Sequence, residues 1–348
     1  MAIATGSSST APLGVAFAGA GMVADLHAQA LGEIPEARLV GLYRRDDRER
    51  RARAAALGVP AYDTYRDLLD DPAVDAVFVL ATLEAHRDLA LEAISAGKHV
   101  LIEKPVGRSI AEVEEIAAAA TRQGVVCMPG HNYVYQPELW RARRLIARRE
   151  LGTICAVFVN YVIFHGEEVA RGYPGVLRQI LTHHFYTLLF LLGEPARLTA
   201  FDSHLHYTDL AAEDQVSVLL QYPDSSVASL FATFAAEDHS SSPWTFFVKI
   251  LGTRGSFECS WRDAYFERPL GSLPYALPMY EETYVHEDRH FVEMCRGRQP
   301  APLSGMGDAA AAQLMVEAAE SAIGDRRVVE LAWERRGVAA RVPQQESS

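Results

Sequence analysis

Three groups of residues could do chemistry by type and spacing. The first is Glu103-Lys104-Pro105, which ends the strand-like part of "HVLIEKPVGRS" at 99–109. Its apolar run, His99 to Ile102, reads as a short buried strand, and the carboxyl end of a strand is where open α/β sheets gather ligands. A carboxylate and an ammonium there suggest proton chemistry, against the plainer reading of a surface ion pair. The second is Gly19-Ala-Gly21-Met-Val-Ala24, a G-x-G-x-x-A turn. Gly19 permits the tight turn, Gly21 lets the backbone approach a pyrophosphate, and Ala24 lets a helix pack closely on its strand. The N–H groups of that helix face the anion, with Met22 and Val23 at its start. The third is Arg44-Arg45, where the strand "LVGLY" ends. Dinucleotide sites for NAD place an acid about 20 residues after the glycines. Here two guanidiniums come first, with Asp46 and Asp47 after them, a pattern suited to a 2′-phosphate. NADP(H) is therefore favoured over NAD(H).

The elements that must position these groups can be read from the pattern. From Leu13 onward "LGVAFAGAG", "ARLVGLYRR", "AVDAVFVLAT", "KHVLIEK" and "VVCMPGHN" read as strands, separated by helices such as "MVADLHAQALGEI" and "SIAEVEEIAAAATRQG". Such alternation means βαβ units and a parallel sheet. After about residue 150, strand-like runs such as "ICAVFVNYVIF", "DQVSVLLQYP", "SVASLFATFAA", "TFFVKILG" and "GSFECSW" succeed one another with few helices, the mark of a largely antiparallel sheet. The expected division is an N-terminal lead at 1–12, an α/β Rossmann domain at 13–130, an α+β C-terminal domain at 131–330 and a tail at 331–348. The C-terminal domain carries a large, mainly antiparallel open sheet and a closing helix at about 307–323.

The whole pattern from about 13 to 330 resembles the Gfo/Idh/MocA oxidoreductases. The resemblance lies in "FAGAGMVADLHAQAL", in "VDAVFVLATLEAHRDLALEAISAGKHVLIEKPVG", in "PGHNYVYQP" at 129–137, in "ILGTRGSFE" and in "FVEMCRGRQPAPLSGMGDAAAAQLMVEAAESA". It implies hydride transfer between a nicotinamide and a carbonyl or secondary alcohol of a sugar-like substrate. It also implies that Lys104 lies beside the nicotinamide and bonds the reacting oxygen, with Glu103 on the cofactor side and Pro105 shaping a turn. A partly buried ammonium can shift toward neutrality and support that proton transfer. Ala81, Thr82, Leu83 and His86 match the family's cofactor loop, with Leu83 in place of a common proline; His86 could equally serve the loop alone.

The resemblance further implies a catalytic histidine on a helix of the second domain. "GVLRQILTHHFYTLLFLLG" offers His183 and His184. At about 100° per residue, Leu177, Ile180, Leu181, His184 and Leu188 share one face, and Gln179, His183 and Tyr186 the opposite one. His183 is the expected proton carrier and His184 a satisfied core histidine. Gln179 stands where the family's D-x-x-x-H pattern has aspartate, and Tyr186 stands where an acid is common. A pocket so short of carboxylates suits a keto-sugar reductase, one acting on a nucleotide-activated deoxysugar, better than an inositol dehydrogenase. Asn132 and Tyr133 at the crossover and His165 are expected substrate contacts, with packing as the plainer role for Tyr133.

Composition narrows the alternatives. The chain has 348 residues, 49% of them hydrophobic, and a formal charge of −12. That acidity argues against sequence-independent binding to nucleic acid. The apolar runs are too short for a membrane span, and the start of the chain lacks a signal-peptide pattern, so a cytoplasmic protein is expected. Cys127, Cys155, Cys259 and Cys295 form no C-x-x-C pair, and His204 and His206 have no neighbouring ligand at metal spacing; no metal is expected. An uncovered antiparallel sheet suggests a homodimer or homotetramer formed through it. Two other functions remain open on these residues: a non-redox, glycosidase-like enzyme that retains its nucleotide, and a ligand-binding protein without turnover.

Overall fold

A computed structural model describes residues 11–207, 209–236, 244–260 and 278–333. The lead and tail expected at the termini fall almost wholly outside this set. The described chain divides into two compact units. The first holds residues up to 135 together with 281–310, and the second holds 136–280 with the segment from 311 onward.

In the first unit the elements are β1 (Leu13–Ala18), α1 (Val23–Gly32), β2 (Ala37–Tyr43), α2 (Asp47–Leu57), α3 (Tyr65–Asp70), β3 (Ala76–Val79), α4 (Leu83–Ser95), β4 (His99–Glu103), α5 (Ile110–Gln123) and β5 (Cys127–Gly130). All five strands pair in parallel in the order β2-β1-β3-β4-β5, the Rossmann-type sheet that the alternation implies. Strands β3 and β4 are almost continuously apolar because both faces of a parallel sheet are covered. Helix boundaries reflect local chemistry. Asp46, Thr64 and Ser109 cap α2, α3 and α5 through their side chains, and Gly58 and Gly124 end α2 and α5 in the left-handed conformation.

The second unit contains α6 (Pro137–Ala147), β6 (Ile154–Ile163), α7 (Glu167–Arg171), a π-turn at Leu177–Leu181, α8 (Thr182–Leu192), β7 (Arg197–Ser203), β8 (Gln215–Gln221), β9 (Val227–Thr233), β10 (Trp244–Gly252) and β11 (Gly255–Ser260). Two further helices, α9 (Pro278–Cys295) and α10 (Met306–Asp325), precede the short β12 (Val329–Glu330). The seven-stranded sheet of this unit runs β11-β10-β6-β9-β8-β7-β12. Every pair is antiparallel except β6 with β9. Strand β8 alternates buried Val216, Val218 and Leu220 with exposed Ser217 and Leu219, the mark of a sheet covered on one face only in the single chain. Phe201 and Phe158 also stand exposed.

The structure cuts the chain differently from the division expected at 130 and 330. Residues 281–310 make their contacts within the first unit. The reason is visible in α9, where Tyr284, Asp288 and Phe291 form a buried stripe that packs on residues of α1 and β3.

Candidate active site

The nucleotide turn is built as its residues require. Gly19 has φ of +98°, and a Cβ there would lie 2.5 Å from the Leu80 and Ala81 backbone, so no other residue fits. Gly21 differs: a Cβ would meet nothing closer than the Leu80 carbonyl at 3.8 Å. Protein packing does not demand that glycine; open approach by a ligand does. Helix α1 begins at Val23 after Met22 with no side-chain cap; the Ala24 N–H bonds the Gly21 carbonyl, and the start of such a helix favours an anion. These features fit a dinucleotide pyrophosphate.

At the end of β2, Arg44 folds back on this turn, its Nη1 donating to the Ala20 carbonyl at 3.2 Å, and it also pairs with Glu49. The acids next in the chain are engaged elsewhere. Asp46 accepts the Glu49 N–H at 2.8 Å as the cap of α2, and Asp47 pairs with Arg50 and Arg51. Arg44 is half-buried and Arg45 is exposed.

Beyond β3, Thr82 occupies the N-cap position of α4 and Leu83 begins that helix. His86 is buried, with Nδ1 2.8 Å from the Pro105 carbonyl and Nε2 3.0 Å from the Ala81 carbonyl. It ties the loop after β3 to the loop after β4, and burial holds its pKa below the usual histidine value. The Lys104–Pro105 peptide is cis. Glu103 is buried, and its Oε2 accepts the Lys104 backbone N–H at 3.1 Å. Lys104 is half-buried. Loss of water pushes its ammonium down to about 8, against the opposing pull of Glu103. His131 stands near enough for the Lys104 charge to add to the burial that holds it neutral, down to about 3; its Nδ1 lies 2.6 Å from Ser304 Oγ. Asn132 donates to Thr283 Oγ1 at 2.8 Å, and Tyr133 is fully buried.

In the second unit the helix that bears the histidines departs from the expected pitch. Leu177–Leu181 form a π-turn, whose wider winding rotates the helical residues after it. The two-faced division therefore fails: Thr182 through Leu191 are all buried. Gln179 is half-buried. His183 Nδ1 lies 2.5 Å from the Tyr186 hydroxyl one turn on, so a neutral partner orients its ring. His184 corrects the other expectation. It is wholly buried, packs on Tyr161 and Phe246, and neither ring nitrogen has a hydrogen-bond partner among the described residues. It is a core histidine but not a satisfied one, and burial pushes its pKa down to about 3.

His165 lies in an aromatic cluster, its ring 5.4 Å from Tyr173 and 4.7 Å from Phe234; its carbonyl accepts the Tyr207 hydroxyl. Burial lowers it to about 4. His206 stacks edge-on to Phe164 and Tyr207, and His204 lies 3.8 Å from Asp202.

One constellation lies outside the sequence expectations. His27 on α1 reaches Asp288 and Glu103, with Glu287 beside them. Signals existed in a histidine on the apolar face of α1 and an acid on the Tyr284–Phe291 stripe, but they stand 261 positions apart.

Residues 13–131 match the Gfo/Idh/MocA oxidoreductase family model, described as an NAD-binding Rossmann fold, and 139–258 match the family's C-terminal domain. The chain belongs to the Gfo/Idh/MocA oxidoreductase family. It is similar to a 1,5-anhydro-D-fructose reductase of Ensifer adhaerens, 29% identical over 60% of this chain and 62% of that protein. It is also similar to an inositol 2-dehydrogenase of Rhizobium meliloti (strain 1021), 26% identical over 90% of this chain and 98% of that one. A crystal structure of GenD2 from gentamicin A biosynthesis, in complex with NAD, superposes with a TM-score of 0.83. It is 28% identical, over 92% of this chain and 97% of that one. No described helix is long and apolar enough to cross a membrane.

Proposed function

We propose that this protein is a sugar or polyol oxidoreductase that uses NADP(H) in preference to NAD(H) and interconverts a carbonyl and a secondary alcohol. The observation that carries this reading is Lys104, an ammonium at the carboxyl end of a central parallel strand, pushed by burial to about 8. Near neutral pH such a group can donate a proton to a forming alkoxide, or stabilise it by charge, and take the proton back in the reverse direction. The dinucleotide, when bound, supplies or accepts the hydride. Gly19, Gly21 and the start of α1 would hold its pyrophosphate. Ala81, Thr82 and His86 belong to the adjoining loop, and Glu103 fixes the backbone of Lys104. His183, oriented by Tyr186, is the second proton-carrying residue in this reading, and Gln179 supplies neutral hydrogen-bonding capacity where an acid would supply charge.

Support for NADP(H) comes from Arg44 and Arg45. The first acids after them serve a helix cap and other arginines, leaving cationic donors for a 2′-phosphate. The Glu49 carboxylate on Arg44 opposes this in part, and the similar GenD2 was crystallised with NAD. The neutral side chains of Gln179 and Tyr186 beside His183 in the sequence favour a keto-sugar over a polyol as the substrate. Exposed Phe158, Phe201 and Leu219 on one sheet face support a homo-oligomer. The test is a screen of keto-sugars and polyols followed at the nicotinamide absorbance, with Lys104→Met as control. Turnover that prefers NADPH, is lost in Lys104→Met and changes to NADH in an Arg44→Asp/Arg45→Ser variant is expected. Full turnover in Lys104→Met would overturn the assignment.

A further inference from the structure

Both nitrogens of the His27 ring face carboxylates. Nδ1 lies 2.9 and 3.0 Å from the two Asp288 oxygens, and Nε2 lies 3.3 Å from Glu103 Oε1. A neutral imidazole has one N–H and one lone pair. Placed here, it would aim that lone pair at an acceptor oxygen, whereas an imidazolium donates on both sides. The ring cannot turn away, because it is wholly buried and walled by Tyr284 at 4.9 Å, Phe78 at 5.2 Å and Phe17 at 6.5 Å. Burial opposes the charge, but Asp288 and Glu103 outweigh it and raise His27 to about 10. Glu287, also fully buried, is pushed well above the carboxylate range by burial and by the Glu103 charge, so it stands as a neutral acid. Burial also raises Asp288, against the lowering pull of His27; the ion pair rests on the geometry, with both Asp288 oxygens on Nδ1 and Glu103 on Nε2.

Glu103 is the shared member. One oxygen meets His27, and the other accepts the Lys104 backbone N–H. Gly130 on the neighbouring strand leaves room for it, since a Cβ there would lie 3.2 Å from Glu103 Oε1. His27, Glu287 and Asp288 also have ligand atoms within 4.8 Å of one another, but both imidazole nitrogens are already committed to carboxylates, which argues against a cation there.

We propose that His27 is a positioning residue for the proton step at Lys104: it fixes the Glu103 carboxylate and supplies the second cation that keeps that carboxylate from gripping the Lys104 ammonium. This rests on the role given to Lys104 above. Burial and Glu103 act on the Lys104 charge directly, His131 faces it as a neutral ring, and His27 acts from beyond Glu103. Removing the His27 cation leaves Glu103 to act on Lys104 alone, and the lysine holds its proton to higher pH.

The chain has only three lysines, Lys98, Lys104 and Lys249, so lysine Cε resonances in selectively labelled full-length protein are few, and Lys104→Met assigns the one in question. The expected result is that His27→Gln moves the Lys104 titration midpoint up by about one pH unit or more, and that the matching limb of the pH profile of kcat/KM moves with it. Asp288→Asn keeps the shape and an acceptor oxygen but removes the anion that holds His27 charged. It is expected to shift Lys104 in the same direction, and it decides the matter if His27→Gln does not fold. Midpoints unmoved in the folded variants, even with lowered activity, would overturn the proposal by showing a merely structural role. A moved midpoint in a protein whose Lys104→Met variant turns over normally would instead overturn the role of Lys104 and leave its coupling to His27 intact.

Discussion

His27 in the first unit and His184 in the second are both wholly buried, and their environments give them opposite charge states. In the first unit His27 is enclosed by aromatic rings yet stands protonated, because two carboxylates face its nitrogens. In the second, His184 is equally enclosed but has no polar partner among the described residues, and burial alone drives it down to about 3. Its neighbour His183 is also buried, with the Tyr186 hydroxyl on one nitrogen. Burial sets the cost of charge; the partners decide whether the charge persists. Proton chemistry near neutral pH needs a group that neither extreme has captured, and Lys104 at about 8 is such a group.

The largest expected effect separates the adjacent histidines of α8. His183→Ala should lower turnover by roughly 10²–10⁴-fold, the range for loss of a general acid or base, while His184→Phe should leave it within a few-fold. Steady-state kinetics on folded variants decide this. Equal losses in both would mean that the region matters for packing alone.

Next in size is the carboxylate side of the comparison. Asp288→Leu removes one partner of a buried ion pair and strands the His27 imidazolium or forces it neutral against Glu103. Such breaks cost about 3–5 kcal/mol, and denaturant unfolding at constant m-value measures it. A loss below about 1 kcal/mol, the level of an exposed pair, would mean that His27 is not charged.

His27 and His184 also predict opposite pH dependence. The raised pKa of His27 gives stability that is fully present below its ordinary value of 6.5 and lost as pH rises toward about 10. The lowered pKa of His184 works the other way: the unfolded chain takes up a proton below 6.5 that the native state refuses until about 3. Stability therefore falls with acidification across that window, by about 1.4 kcal/mol per pH unit for one histidine. His131, near 3, and His165, near 4, add to the same limb. Unfolding free energies measured from pH 4 to 7 in His184→Phe should show a slope shallower by about one proton than the parent.

Much of this architecture was legible because it rests on local pattern. Alternating apolar runs and helices announce the parallel sheet, and Gly19 is dictated by a left-handed turn pressed on the Leu80 backbone. The E-K-P stretch marks the end of β4 from its own residues. What escaped is non-local. His27 and Asp288 meet only after the chain folds, and 281–310 joins the first unit through contacts with α1 and β3 rather than through sequence neighbours. The π-turn at Leu177–Leu181 escaped for a related reason. Its residues Leu-Arg-Gln-Ile-Leu suit an α-helix, and no proline or glycine marks the wider winding. The parallel pairing of β6 with β9 inside an otherwise antiparallel sheet likewise leaves no mark on either strand.

The smallest effect tests the unpaired end of the comparison. Neither nitrogen of His184 is hydrogen-bonded among the described residues, and Thr187 Oγ1, one turn along α8, is buried in the same condition. An unsatisfied buried donor or acceptor costs about 1–3 kcal/mol, and replacing it with an apolar group of similar shape removes that cost. The His184 ring already lies between the aromatic rings of Tyr161 and Phe246, so phenylalanine would enter an apolar setting with a modest increase in volume. At pH 7.5, where the acid effect is small, His184→Phe is expected to stabilise the protein by about 1 kcal/mol, the desolvation gain less some crowding. Thermal unfolding at that pH should then show a small rise in Tm. A loss of about 2 kcal/mol or more, within the range for breaking a made hydrogen bond and leaving its partner unmet, would mean that the ring nitrogens do have partners in solution. The contrast with His27 would then reduce to a difference in the charge of those partners.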